Sequence, residues 1–175
     1  MGPFLVKIIL IVLITIGFAL NAQDLKWAKS IGGASSELAT AIAKDSLDNI
    51  YITGSFGSTV DFDPGSGTAN LTSAGSSDIF IAKYDVNGNY VWAKGMGGTG
   101  FEIGNSIGLD SVGNIYITGN FKGTADFDPN LGTANLISTT SYNIFVAKYD
   151  NSGNYLWAKS TNGIKDSEGK SVAVD

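Results

Sequence analysis

Asn49-Ile-Tyr-Ile-Thr-Gly-Ser-Phe56 returns as Asn114-Ile-Tyr-Ile-Thr-Gly-Asn-Phe121, 65 residues further along the chain. Alternation of apolar and polar side chains over such a stretch, bounded by Asn and Gly, is the pattern of a β-strand. Its return at a fixed distance makes the chain a repeat. Trp27, Trp92 and Trp157 keep the same spacing and each opens Trp-Ala-Lys, and Asp61-Phe-Asp-Pro64 returns as Asp126-Phe-Asp-Pro129. Laid over each other, residues 27–91 and 92–156 agree at about 37 of 65 positions. A period of this size is a supersecondary unit that is stacked or arrayed, because one unit cannot bury both of its own faces.

Each copy holds four segments of strand character, in the first copy Ala39–Asp45, Asn49–Phe56, Asp78–Asp85 and Asn89–Met96. After residue 22 no segment long enough for a helix shows a 3.6-residue apolar period, so the fold class is all-β with antiparallel four-stranded units. Asp45-Ser-Leu-Asp-Asn49, Asp85-Val-Asn-Gly-Asn89, Asp110-Ser-Val-Gly-Asn114 and Asp150-Asn-Ser-Gly-Asn154 read as tight hairpins. There Asp accepts backbone hydrogen bonds, and Gly or Asn takes the positive φ. A calcium loop is the alternative, but it needs Gly at the sixth position and Glu at the twelfth. Counted from Asp85, those places hold Tyr90 and Met96.

The first strand is small at alternate positions in every copy: Ala39, Ala41, Ala43; Gly104, Ser106, Gly108; Gly169, Ser171, Ala173, with Ile42, Ile107 and Val172 as neighbours. Such grading suits the innermost strand of a radial array, where the sheets converge. Thr59–Ser73, repeated as Thr124–Ser138, reads as a hairpin inserted at the periphery with Pro64 and Gly67 forcing its turn. The insertion accounts for a period longer than that of the common propeller repeats.

At the N-terminus, Phe4 to Leu20 is an apolar run broken by Lys7, Thr15 and Gly17, with Ala22 a small residue before Gln23. Residues 1–22 therefore read as a helical secretory signal peptide, the alternative being an uncleaved membrane anchor. Either implies export, to the secreted fraction or the cell surface. The formal charge of −5 becomes −6 once Lys7 is removed with the signal. An acidic chain without a basic cluster excludes nucleic acid and anionic membrane as partners. The chain has no cysteine and no histidine. That removes disulfides, a lipoprotein anchor and the commonest general base.

Trp-Ala-Lys, the Asn-Ile-Tyr-Ile-Thr-Gly strand, Asp-Phe-Asp-Pro and Asp78-Ile-Phe-Ile-Ala-Lys-Tyr-Asp85 occur in an order that resembles the bacterial beta-propeller repeat family SBBP, named for a seven-bladed beta-propeller. The likeness runs from Trp27 to Asp175, with Asp48 standing where the pattern has Gly. It implies a secreted or surface-exposed repeat protein and brings no catalytic residues with it. On this reading residues 1–22 are the signal, 23–38 an N-terminal outer strand and linker, 39–103 one blade, 104–168 a second, and 169–175 the start of a third. Since closure takes at least about four blades, the expectation is an incomplete propeller. It would be an N-terminal fragment of a longer chain, whose missing blades are its partners and whose last blade the N-terminal strand would complete. Self-assembly of the chain into a ring is the alternative.

Candidate chemistry is sparse. Asp61 with Asp63, and Asp126 with Asp128, lie two apart on a strand and so share a face, where paired carboxylates can hold calcium; shaping the turn into Pro64 or Pro129 is the reading the residues favour. Glu37 and Glu102 could serve as a glycosidic acid and base, yet repetition alone explains their identity. Tyr90, Tyr142 and Tyr155 are aromatics that can stack on sugar rings or pack the blades. The expected function is a non-catalytic scaffold binding an extracellular protein or glycan, with adhesion as one use and no obligatory cofactor. The alternative is a propeller module of a larger secreted hydrolase or lyase.

Overall fold

The computed structural model describes residues 26–161 and 163–175, so the signal segment 1–22 lies outside the described residues. Eleven strands and no helix are present among them: β1 Gly32–Gly33, β2 Glu37–Lys44, β3 Ile50–Phe56, β4 Thr59–Asp61, β5 Asn70–Thr72, β6 Asp78–Tyr84, β7 Tyr90–Gly98, β8 Glu102–Leu109, β9 Ile115–Asp126, β10 Asn135–Tyr149 and β11 Tyr155–Ser160. β2, β3, β6 and β7 pair in sequence order as an antiparallel meander, and β8, β9, β10 and β11 repeat it. The fold is all-β and antiparallel, consistent with a partial propeller.

The inserted hairpin folds back over its own sheet. In the first sheet it is β4 and β5; in the second it is the far halves of β9 and β10. Phe62 at its tip is buried against Phe56 and Phe80, with ring centroids 5.6 and 5.0 Å away, and Phe127 meets Phe121 and Phe145 at 5.6 and 4.8 Å. The Tyr84 hydroxyl donates to the Phe62 carbonyl at 2.9 Å, and Tyr149 to Phe127 at 2.9 Å. Each buried phenylalanine contributes roughly 1.5–3 kcal/mol, so Asp-Phe-Asp-Pro recurs because its Phe closes a core.

Three contacts join one sheet to the next, and each has a counterpart 65 residues away. Gly32 and Gly33 pair with Asp61 and Val60, as Gly97 and Gly98 pair with Asp126 and Ala125. The Trp27 ring lies on Gly88 in the β6–β7 turn, as Trp92 lies on Gly153 in the β10–β11 turn. The Thr40 hydroxyl donates to the Gly104 carbonyl, as Asn105 Nδ2 donates to Gly169 at 2.9 Å.

Of the N-terminal segment 23–38, Gly32–Gly33 pairs with β4 and residues 26–31 are unpaired. One sequence reading is corrected. In β2, Ala39 pairs with Gly54 and Ala41 with Thr53, so Thr40 is the extra residue of a bulge, and β8 bulges identically at Asn105. A bulge breaks the two-residue alternation, so the small positions do not share one face along the strand. Smallness has a local cause at Gly104 instead, where a Cβ would lie 2.5 Å from the Thr53 hydroxyl. Residues 171–175 follow β8 without strand pairing, Val172 donating its N–H to Ser106 Oγ at 3.2 Å.

Candidate binding groove

The meanders present two ends, and their side chains differ in kind. At one end lie the four Asp-led turns. In each, one Asp oxygen accepts the N–H groups two and four residues on, and the other accepts the Asn side chain: Asp85 Oδ1 takes Asn87 and Asn89 at 2.8 Å each, and Asp85 Oδ2 takes Asn89 Nδ2 at 2.9 Å. The Asn89 backbone N–H, then its side chain, hold the Asp85 carboxyl below the usual carboxylate range. Lys148 approaches Asp110 at 3.5 Å while lying 4.7 Å over the Tyr116 ring. A groove of about 490 Å³ runs between the first and second sheets here, walled largely by these turn residues. Its chemistry is that of turns, satisfied from within.

The calcium candidates are likewise engaged by their own backbone. Asp61 Oδ1 accepts from Asp63 N at 3.0 Å and Ala69 N at 2.8 Å; Asp126 Oδ1 accepts from Asp128 N at 3.0 Å and Ala134 N at 2.8 Å. Asp63 Oδ1 accepts from Gly65 N at 2.7 Å, and Asp128 Oδ1 from Asn130 N at 3.0 Å. These bonds set the loop that carries Phe62 or Phe127 into the core. Among the described residues no three acidic, His or Cys side chains gather as a metal cluster.

Glu37 and Glu102 begin β2 and β8 and stand at equivalent places in separate sheets, each folded back under its own glycines. Glu102 is fully buried, with Oε2 accepting the Gly98 N–H at 3.1 Å and Oε1 without a partner. Asp78 is buried beside it and bound by Ser73 Oγ at 2.9 Å and Ala74 N at 3.0 Å. A Cβ on Gly97 would lie 2.9 Å from both Asp78 Oδ1 and Glu102 Oε2. Burial first, opposed by the Gly98 N–H and reinforced by the Asp78 charge, pushes Glu102 up to about 7; burial also raises Asp78. Repetition does not supply this pair, since the place of Asp78 is Asn143 in the second copy and the place of Glu102 is Ser167 in the third.

At this same end, between the second sheet and the segment that follows it, a groove of about 410 Å³ is lined by Phe101, Ile103, Asn105, Asn120, Tyr142 and residues 166–168. Phe101 remains 38% exposed and meets the Tyr142 ring edge-on at 6.1 Å; Lys122 lies 5.5 Å over that ring. Both aromatics are fixed through backbone. Ser76 N donates to Gly100 at 3.0 Å and Glu102 N to Ser77 at 2.9 Å, on either side of Phe101. Ser167 N donates to the Tyr142 carbonyl at 2.8 Å, and Tyr142 N to Asp166 Oδ1 at 2.8 Å. Asn105 Nδ2 joins the walls through Glu168 Oε1 at 3.2 Å and Asn120 Oδ1 at 3.4 Å.

Every lining residue here departs from the repeat. Phe101, Ile103, Asn105, Asn120 and Tyr142 replace Ser36, Leu38, Thr40, Ser55 and Ser77, while Asp166, Ser167 and Glu168 replace Phe101, Glu102 and Ile103. Of the three tyrosines singled out from sequence, only Tyr142 lies in the groove; Tyr90 and Tyr155 accept the N–H of Ala93 and Ala158 at 3.0 Å and pack against Tyr84 and Tyr149. Sequence reasoning sought recurring residues and so passed over Phe101, Asn105, Asn120 and Asp78. The signal that finds them is disagreement between copies.

Comparison with known proteins agrees with the repeat reading. A family model described as beta-propeller repeat matches residues 92–123. An uncharacterized WD repeat-containing protein of Acanthamoeba polyphaga mimivirus is 36% identical over 187 residues, covering 91% of this chain and 13% of the viral protein. The regulatory protein FlaEY of Caulobacter vibrioides is 28% identical over 99 residues, 57% of this chain and 10% of that protein. The chain thus spans about a tenth of the length of the relatives it matches.

Proposed function

We propose that this chain, a bearer of β-propeller repeats, is a non-catalytic interaction module that acts outside the cell and holds its ligand at the Phe101–Tyr142 groove. One observation carries the reading. Where two copies agree at more than half of their positions, the residues lining this groove all differ. A scaffold needs its repeating residues for packing and turns, and binding is free to use the rest. Export is supported by the apolar N-terminal run after Lys7.

Binding of fluorescently labelled chain to the surface of producing cells tests the reading. The comparison is with a variant in which the first copy's residues replace the second's, Phe101→Ser, Asn105→Thr, Asn120→Ser and Tyr142→Ser. The expected outcome is a folded variant that no longer binds. Equal binding by both forms overturns it. Fusion of residues 1–30 to alkaline phosphatase, active only after export, tests the location separately.

A further inference from the structure

We infer that the groove takes a neutral sugar chain, an inference that rests on the groove being the binding surface. The lining combines one exposed aromatic, Phe101, with amides at Asn105 and Asn120 and carboxylates at Asp166 and Glu168. The face of an aromatic ring is electron-rich and attracts the weakly positive C–H face of a pyranose. Sugar hydroxyls are donors and acceptors at once, and an amide offers both functions while a carboxylate accepts from two neighbouring donors. The volume of about 410 Å³ lies in the range of small-ligand sites.

Other ligand classes fit less well. Glu168 is paired with Lys170 at 2.6 Å, but Asp166 at the wall and the net negative charge of the chain disfavour sulfated or phosphorylated polymers. The aromatics are held by backbone hydrogen bonds on both walls, so little ordering accompanies binding.

Isothermal titration of the chain with cellohexaose, xylohexaose, laminarihexaose and chitohexaose is the test, with a heparin hexasaccharide as the anionic comparison. At least one neutral hexaose is expected to bind with Kd below about 1 mM, and heparin is not. Phe101→Ala is expected to weaken that binding about tenfold or more. Leu131→Ala, at a fully exposed site on the inserted hairpin, leaves it unchanged. Melting curves of both variants distinguish lost contact from lost fold. Failure of all four neutral hexaoses, or binding indifferent to Phe101, overturns the sugar inference. If peptide selection on the same chain instead yields Phe101-dependent binders, the groove survives as the binding surface with another ligand; binders indifferent to Phe101 remove the groove as well.

Discussion

Carboxylates at the two ends of the sheets have opposite characters. At the turn end, Asp45, Asp85, Asp110 and Asp150 are wrapped by N–H donors and held below the usual range. At the groove end, Asp78 and Glu102 are buried together and pushed above it. The first set recurs in each turn, and the second occurs once. Turn carboxylates replace backbone partners that a tight hairpin lacks, so every hairpin needs one. The buried pair serves no such general need, and it lies beneath the loop that presents Phe101.

Protonation separates the ends most sharply. An Asp with a lowered pKa contributes stability above its ordinary pKa that is lost as pH falls. Glu102 behaves inversely: between its ordinary 4.5 and about 7 the unfolded chain releases a proton that the folded chain keeps. Stability from this group is therefore complete below 4.5 and lost as pH rises through 7. A shift of that size corresponds to about 3 kcal/mol. Glu102→Gln should remove that dependence, with urea unfolding at pH 5 and pH 8 giving the variant its greatest advantage at pH 8. Parallel pH profiles for the two proteins would show that the pair is ionised without cost, and the contrast between the ends would fail.

Gly153→Ala probes the turn end with a smaller expected effect. Gly153 has φ +77° and carries the Trp92 ring, which a Cβ would approach to 3.1 Å. Left-handed backbone and crowding together should cost about 2 kcal/mol in denaturant unfolding. The reverse exchange is open at Asp48, whose φ of 64° is met by Gly113 in the second copy at 86°. Asp48→Gly should stabilise by roughly 0.5–1 kcal/mol, despite losing the exposed contact with Lys44. Loss of stability there would mean that the Asp side chain contributes more than its strained backbone costs.

Much of the turn end was legible in sequence. A strand is a local pattern of period two, and a hairpin is a local pattern of Asp, Gly and Asn, so β2, β3, β6 and β7 and their turns fall where residues 39–96 suggest. The inserted hairpin was legible for the same reason. The Thr40 bulge was not, because its cause is a hydrogen bond to Gly104 in another sheet, far along the chain. Nor was Asp78 beside Glu102, a meeting produced by sheet stacking. Stacking also explains why equivalent residues differ in burial: Ile107 is 7% exposed under the first sheet, while Ile42, on the face that the first sheet leaves uncovered, is 67% exposed. The groove stayed hidden because a search for repetition discards the positions that form it.

The smallest expected effect on stability belongs to the groove itself. Phe101→Ser with Tyr142→Ser restores the residues found at positions 36 and 77. The backbone bonds that hold this end, Glu102 N to Ser77 O and Ser167 N to Tyr142 O, use no side chain of either aromatic. What is lost is one edge-on ring contact and the approach of Lys122 to the Tyr142 ring, both at the surface. Unfolding free energy should therefore change within about 0.5 kcal/mol, against about 2 kcal/mol for a single methyl at Gly153. Side chains so weakly required by the fold are the ones a binding surface can vary. A loss comparable to that at Gly153 would place Phe101 and Tyr142 among the packing residues and erase the distinction between the two ends.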